Sequence, residues 1–349
     1  MVSFLKKLNL ILLLFTALSF GAPYISPAQA SVFMFLGIAF PYLVVANLFF
    51  LILWTIARKK FAYVPLITLA CCVPFILRTV AFHFSTKSPT HSIKIMEYNV
   101  CGFAVVNYAQ RVEGQKRMNA YLLKENPDII AFLEYGMQDH IYESGRNNFT
   151  IQKNYPYKYH GDTTTISIYS KFPIENTFRL PINKNGSNGC IGADINIDGT
   201  KVRFYALHLQ SNNLSNAADE LASKGIIDNE ESVIDILKIL HRFRKYGIKR
   251  AQEAEEVAAH IEASELPVIV CGDFNDTPLS YTYHTLRKNL DDTFLDAGKG
   301  LGVSYNGNIP YLKIDNILVD KHFKALSSKV SRVDYSDHFP MVSEIQLRK

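Results

Sequence analysis

Eight residues with side chains suited to acid–base and phosphate chemistry stand where apolar runs of this chain stop: Asn99, Glu134, His208, Asp273, Asn275, Asp315, Asp337 and His338. The densest group lies in residues 268–278, VIVCGDFNDTP. Val268, Ile269 and Val270 lead through Cys271 and Gly272 into Asp273, Phe274, Asn275 and Asp276, and Thr277-Pro278 ends the run. A short apolar strand that stops at a glycine-containing turn carries its last side chains to the rim of a sheet, where a ligand reaches them. Asp and Asn in such a stretch also make ordinary turns, so its meaning depends on the other strand ends.

Collected at one rim, Glu134 and an Asp would offer oxygen ligands to a hard cation. Mg²⁺ suits such a site, because it keeps several waters and takes one or two carboxylates plus a substrate phosphate. Mn²⁺ accepts the same oxygen ligands. The cation would polarise a phosphoryl oxygen. An Asp could take a proton from attacking water, and a protonated His, oriented by a second Asp, could stabilise charge growing on the phosphate. Taken singly, His208 reads equally well as a packed or surface histidine, and Asp337-His338 as a turn cap.

These residues are positioned by an alternation of apolar strands and helices. Strands are expected over 93–100 (IKIMEYNV), 128–134 (DIIAFLE), 163–170, 190–197, 201–209 (KVRFYALHL), 314–320 (IDNILVD) and 341–347. Helices are expected over 114–126, over 249–263 with an Ala251, Ala254, Ala258, Ile261 stripe, and over 279–290. Asp276 is read as the cap of that last helix, and Asp291-Asp292 as surface. Residues 214–247 form a charged, partly helical insertion. The pattern gives a mixed α/β or α+β domain over residues 93–349. Cys101, Cys190 and Cys271 form neither a disulfide framework nor a paired metal motif.

Residues 1–84 differ in kind. The first 87 residues hold seven Lys or Arg and no acid, leaving 30 basic against 32 acidic residues, a net of −2, in the rest. The basic pI therefore belongs to the N-terminus and is no argument for a nucleic-acid surface. Apolar runs at 8–20, 32–57 and 61–77 read as three transmembrane helices in contact with a lipid bilayer. Ala28-Gln29-Ala30 also fits a signal cleavage site, but the pattern runs directly into two further spans, which favours an uncleaved first helix. Lys6, Lys7 and Arg58-Lys59-Lys60 mark the cytoplasmic side. Three spans then put the domain on the periplasmic or extracellular side, beyond a polar linker at 85–92; Arg78 is the weak point of the third.

The order of these strand ends resembles the endonuclease/exonuclease/phosphatase superfamily, which includes deoxyribonuclease I, apurinic endonucleases, sphingomyelinases and inositol-polyphosphate phosphatases. The resemblance covers roughly residues 93–347. GDFN at 272–275 and SDHFP at 336–340 carry most of it, supported by YN at Asn99, Glu134, YSKFPI from Tyr169, HL at His208 and IDNI at Asp315. It implies a four-layer α/β sandwich, two packed β-sheets with outer helices. It also implies Glu134 as principal Mg²⁺ ligand, with Asn99 helping to hold metal and phosphate and Asp337 as a further metal-site carboxylate. Asp273 is similar to the residue that activates water, and Asn275 to the side chain that steadies it and the phosphoryl oxygens. His338 resembles the phosphate-binding histidine, Asp315 its partner, and His208 a histidine that some branches place near the leaving group. The expected activity is metal-assisted hydrolysis of a phosphate ester, nuclease-like. A sphingomyelinase-like lipid phosphodiesterase and a non-catalytic binding protein on the same fold are the alternatives; nucleic acid, lipid and phosphosugar all remain open as substrates. A transporter fits poorly, with one charge inside the spans.

Overall fold

The computed structural model describes residues 2–83, 91–103, 108–135, 154–182, 188–211, 230–307, 311–333 and 335–348. Most of the expected linker, and residues 212–229 at the start of the insertion, lie outside the described residues.

Three apolar helices come first: α1 (Val2–Ser19), α2 (Val32–Ile56) and α3 (Tyr63–Ile76). The first two are long and apolar enough to cross a membrane, whereas α3, at 14 residues, is short of a full span. Arg78 lies beyond its end, where the guanidinium donates to the Tyr24 hydroxyl at 2.8 Å. The Asn47 side-chain amide donates to Thr16 Oγ1 at 2.9 Å, and the Trp54 indole to Asn9 Oδ1 at 3.0 Å, tying α2 to α1 through buried polar contacts. Directly after α3, strand β1 (Ala81–Phe82) pairs antiparallel with residues 299–300, so the chain is fastened to the larger domain before the linker begins.

That domain is built on two six-stranded sheets. One contains β2 (Ile93–Asn99), β3 (Ile129–Leu133), β4 (Tyr157–His160) and β5 (Ser167–Ser170), joined by two C-terminal strands introduced below. The other contains β6 (Ile174–Leu180), β7 (Gly189–Ile197), β8 (Thr200–His208) and β9 (Val268–Asp273), then β10 (Asp291–Asp292) and, after β11 (Lys299–Gly300) of the small ribbon, β12 (Asp315–Val319). Strands β13 (Phe323–Val330) and β14 (Met341–Leu347) complete the first sheet, in the order β13-β14-β2-β3-β5-β4, against β10-β12-β9-β8-β7-β6.

Period-two alternation explains the layers. Ile95, Ala131 and Ile168 of one sheet meet Ile191, Phe204, Ile269 and Ile317 of the other in the central core. Met96, Tyr98, Ile130 and Phe132 point outward, where they are covered by Met118 and Leu122 of α4 (Tyr108–Glu125). Tyr205, Val268 and Val270 are covered by Ala254, Val257 and Ile261 of α5 (Glu230–Glu262). Shorter helices α6 (Tyr281–Arg287) and α7 (Thr293–Ala297) follow, giving the expected α+β sandwich. Strands β6 and β13, with mixed exposure along their length, went unpredicted because their polar residues hide the alternation.

Three local expectations need correction. Helix α5 is 33 residues long and absorbs the second half of the insertion, because Ile236, Leu240, Phe243, Gly247 and Ala251 continue its apolar stripe toward the N-terminus. Ser280, not Asp276, caps α6: its hydroxyl accepts from the Tyr283 amide at 3.1 Å, while Asp276 is buried against the Arg250 guanidinium at 3.2 Å. Asp292 is fully buried, not surface, and is held by Lys313 Nζ at 2.9 Å and the Tyr283 hydroxyl at 2.6 Å.

Candidate active site

Strand register brings the predicted residues to one rim. Parallel pairing of β8 with β9 sets His208 opposite Asp273, and antiparallel pairing of β9 with β12 sets Asp315 opposite Asp273. Gly272 permits this close approach, since a Cβ there would collide with the Leu207 carbonyl. In the facing sheet, β2 and β3 run parallel with Asn99 opposite Leu133, so Glu134 emerges beside it. The 336–338 turn, immediately before β14, is drawn in by the Ser336 hydroxyl, which donates to the Asn99 carbonyl at 2.8 Å. All eight predicted residues thus lie at this rim.

The two sheets are joined by one side chain. The Asn99 amide nitrogen donates to Glu134 Oε1 at 3.2 Å and to Asp273 Oδ2 at 3.3 Å, linking a carboxylate of one sheet to that of the other. Its oxygen accepts from the Cys101 amide at 3.0 Å, which fixes the amide's orientation. Asp273 Oδ1 accepts from the Asn275 backbone at 2.7 Å, and the Asn275 side chain donates to the Leu209 carbonyl at 3.1 Å. Glu134 (φ 51°) and Asn275 (φ 52°) both adopt left-handed backbone, a strained state that turns each chain sharply at its strand end.

The two histidines differ in charge. Burial lowers the pKa of His208, although the nearby Glu134 opposes that, and the ring stays neutral with Nε2 at 3.7 Å from both Glu134 Oε1 and Asp273 Oδ2. Burial also disfavours charge on His338, but Asp315 outweighs it. His338 Nδ1 is 2.9 Å from Asp315 Oδ2, and the pKa is raised to about 10. Asp273 is pushed up to about 8, first by burial and then by the Asp315 charge, with His338 opposing. Two backbone amides, of Ile314 and Asp315, donate to Ser304 Oγ at 3.0 Å each and hold the start of β12 in place. The Tyr305 ring packs edge-on to His338 at 5.3 Å.

Glu97 was not foreseen. It lies two residues before Asn99 on the core side of β2 and is fully buried, with its carboxyl group beside that of Asp315. Burial and then the Asp315 and Asp273 charges raise its pKa well above the ordinary carboxylate range, so it carries a proton. The signal was present in IKIMEYNV as an acid at an inward position of an apolar strand. A second group also escaped the sequence reading. Phe35 and Ile38 of α2 and Ile239, Leu240 and Phe243 of α5 line the same cavity, about 450 Å³ in volume, as Glu134, Asp273, Asp337 and His338.

The residues present fit a hard divalent cation. Glu134 is half-buried and Asp337 exposed at the mouth, and together they raise the neighbouring Cys101 thiol to about 12, after burial as the main cause. Among the described residues Asp273, Asp315 and His338 form the tightest set of ligand-type atoms, within 4.8 Å of one another. In this set His338 Nδ1 is already bonded to Asp315 Oδ2. Glu134 and Asp337 present carboxylate oxygens at the cavity, whereas the expected third donor, Asn99, turns its amide nitrogen toward Glu134 and Asp273 and gives its oxygen to the Cys101 amide.

The fold and site can now be compared with known proteins. The structure resembles the human Nocturnin catalytic domain with bound sulfate (15% identity, TM-score 0.51, covering 73% of this chain and 94% of that one). It also resembles D. rerio TDP2 complexed with single strand DNA product (16% identity, TM-score 0.52, 73% and 99% covered). A third likeness is to the mannosyl-6-phosphatase of Bacteroides thetaiotaomicron (16% identity, TM-score 0.51, 73% and 100% covered). At these identities the likeness is one of fold. A search of curated proteins finds no match. Residues 2–79 match a domain family of unknown function. Residues 96–338 match the endonuclease/exonuclease/phosphatase family across both sheets and every strand end of the site, and the chain belongs to that family of phosphate-ester hydrolases.

Proposed function

We propose that the chain is a membrane-anchored, Mg²⁺-dependent phosphoesterase that hydrolyses a phosphodiester or phosphomonoester by attack of water. The observation that carries this reading is the Asn99 amide bridging Glu134 and Asp273, which couples a solvent-reached oxygen donor to a buried carboxylate of raised pKa. Glu134 and Asp337 would hold the cation through their carboxylate oxygens, with Asn99 fixing Glu134 through its amide nitrogen; when bound, the cation would supply Lewis-acid polarisation of a phosphoryl oxygen.

The protein's own residues do the rest. Asp273, raised to about 8, accepts the proton of the attacking water as general base. Asn275 fixes Asp273 through its backbone amide and contributes to the binding of the phosphoryl oxygens. His338, protonated across the neutral range, offers Nε2 to the phosphate, while its Nδ1 is held by Asp315. Neutral His208 stands on the opposite side of Asp273, in reach of a leaving oxygen.

The helices are read as a retained membrane module. Removal of α1 would strip Asn47 and Trp54 of their partners Thr16 and Asn9 inside an apolar bundle, which favours an uncleaved first helix. Lys6 lies over the Phe61 ring at 5.3 Å, so Lys6 and the Arg58–Lys60 cluster share one end, opposite the end of α2 that meets the domain. By the positive-inside rule that arrangement favours a catalytic domain on the non-cytoplasmic side.

The test is EDTA-sensitive hydrolysis by purified full-length protein across DNA, RNA, phospholipid, sphingolipid and phosphosugar substrates. Mg²⁺-dependent turnover, lost in Asp273→Ala, is expected. No turnover on any substrate, or equal turnover by the variant, overturns the reading; Mg²⁺ binding without turnover would point instead to a binding protein on the same fold. For a nuclease, the basic residues Arg242, Arg244, Lys245, Lys249 and Arg250 form a smaller patch than their spacing suggests. Arg250 is buried against Asp276 and the Gln210 carbonyl, and Lys249 is engaged by Gln210 and Glu253.

A further inference from the structure

The cavity that holds the catalytic groups has two chemically opposite halves. One half is polar: Glu134, His208, Asp273, Asn275, Asp337 and His338. The other is hydrocarbon, formed by Phe35 and Ile38 from α2 and by Ile239, Leu240 and Phe243 from α5. Neither helix stretch belongs to the sheet framework that builds the rim. One comes from the N-terminal helices and the other from the N-terminal half of α5.

The wall is held firmly. The Phe35 and Phe243 rings pack with centroids 5.2 Å apart, and a side chain at Gly247 would run into Met34, so α2 and α5 meet closely. Further along the same contact Phe40, Cys72 and Leu279 form a small apolar cluster that unites α2, α3 and the loop after Asn275. The wall is therefore continuous at one end with a helix long and apolar enough to cross a membrane, and at the other with the phosphate-handling groups. Leu240 remains 43% exposed, which leaves hydrocarbon surface for an occupant. On α5 the outward positions Arg242, Arg244 and Lys245 are exposed and basic, as on a helix beside an anionic surface.

We propose that this wall receives the apolar chain of an amphiphilic phosphate ester, so that Phe35, Ile38, Ile239, Leu240 and Phe243 select the substrate class while the opposite half of the cavity acts on its phosphate. The proposal rests on the phosphoesterase reading for its chemistry and on the cavity alone for its tail. Complementarity decides between occupants. A sugar phosphate or a nucleic acid strand would leave five hydrocarbon side chains unused beside the reacting group, whereas a lipid phosphate presents a charged head and a chain in the order the cavity offers.

The full chain in neutral phosphatidylcholine nanodiscs, with Mg²⁺, is assayed on p-nitrophenyl alkyl phosphodiesters from ethyl to dodecyl, which share one leaving group. Each methylene buried at the wall is worth a factor of about three to four, so kcat/KM rises by about tenfold if two of the six methylenes from ethyl to octyl are buried and by about 10³-fold if all six are. In Leu240→Asp and in Ile38→Asp the octyl-to-ethyl ratio falls toward one. Hydrolysis without chain-length dependence overturns the tail site and leaves the phosphoesterase reading standing, as does a dependence that survives both substitutions. Absence of hydrolysis throughout counts against the phosphoesterase reading. Binding of ethyl, octyl and dodecyl phosphonates then decides the wall by itself. Affinity that grows with chain length and is lost in Leu240→Asp supports it, and equal affinity for all three overturns it.

Discussion

Two buried ionic clusters lie two residues apart on the same stretch of chain and could hardly differ more. Around Lys313 everything is matched. Asp292 accepts from Lys313 Nζ at 2.9 Å, from the Tyr283 hydroxyl at 2.6 Å and from the Phe294 amide at 2.8 Å, and Lys313 also donates to Asn316. Burial pushes the Asp292 pKa up, but Lys313 and these donors together bring it below the ordinary value. Around Asp315 the account does not close. Glu97, Asp273 and Asp315 crowd one cationic ring, His338, so that Glu97 and Asp273 both have raised pKa values, and among the described residues His208 Nδ1 has no hydrogen-bond partner. A satisfied cluster fixes structure; a cluster of crowded acids with raised pKa values at the rim of a cavity is arranged for something that arrives from outside.

The contrast can be broken from either side. The largest expected effect is on activity: Asp273→Asn lowers kcat by about 10²–10⁴-fold while thermal stability holds or rises, because a crowded carboxylate is removed. Steady-state kinetics and a melting curve check both halves. Next is Lys313→Met, which strands Asp292 and costs about 3–5 kcal/mol of stability, read as a lower denaturant midpoint. Asp315→Asn comes third. Asp315 is what raises the His338 pKa to about 10, so its loss lowers that pKa and moves the alkaline limb of the pH–rate profile toward neutrality. An unmoved limb would show that His338 does not carry the charge that matters.

The smallest effect is Glu97→Gln. Glu97 has a raised folded pKa, so its contribution to stability is fully present below the ordinary carboxylate pKa and is lost as pH rises toward the folded value. The variant has no proton to lose. It should match the wild type near pH 4 and be the more stable of the two at pH 8, by melting temperature. A difference that does not grow with pH would mean Glu97 is not held protonated.

The catalytic rim was legible because it is periodic. Asn99, Glu134, His208, Asp273 and Asp315 each end a run of apolar residues, and strand register converts those endings into neighbours. Glu97 was hidden by the same periodicity, since an acid among inward isoleucines has no local signature beyond its own oddity. Asp276 and Asp292 were misassigned because their partners, Arg250 and Lys313, are 26 and 21 residues away, a separation that no local rule spans. The hydrocarbon wall was least legible of all. Its residues are ordinary members of two helices about 200 residues apart in sequence, and only folding sets them beside the phosphate groups.

The two-residue ribbon between Ala81–Phe82 and Lys299–Gly300 has a mechanical meaning. A domain hung from a flexible tether sweeps a hemisphere and samples targets in any direction. Here the chain is clamped to the domain as soon as α3 ends, with the His83 amide adding a bond to the Gly298 carbonyl at 3.0 Å. The clamp removes that swivel. The mouth of the cavity keeps a constant bearing relative to the helices. With the helices in a bilayer, as proposed, encounter would depend on how densely targets crowd the adjoining plane, and hardly on their concentration in the volume beyond it.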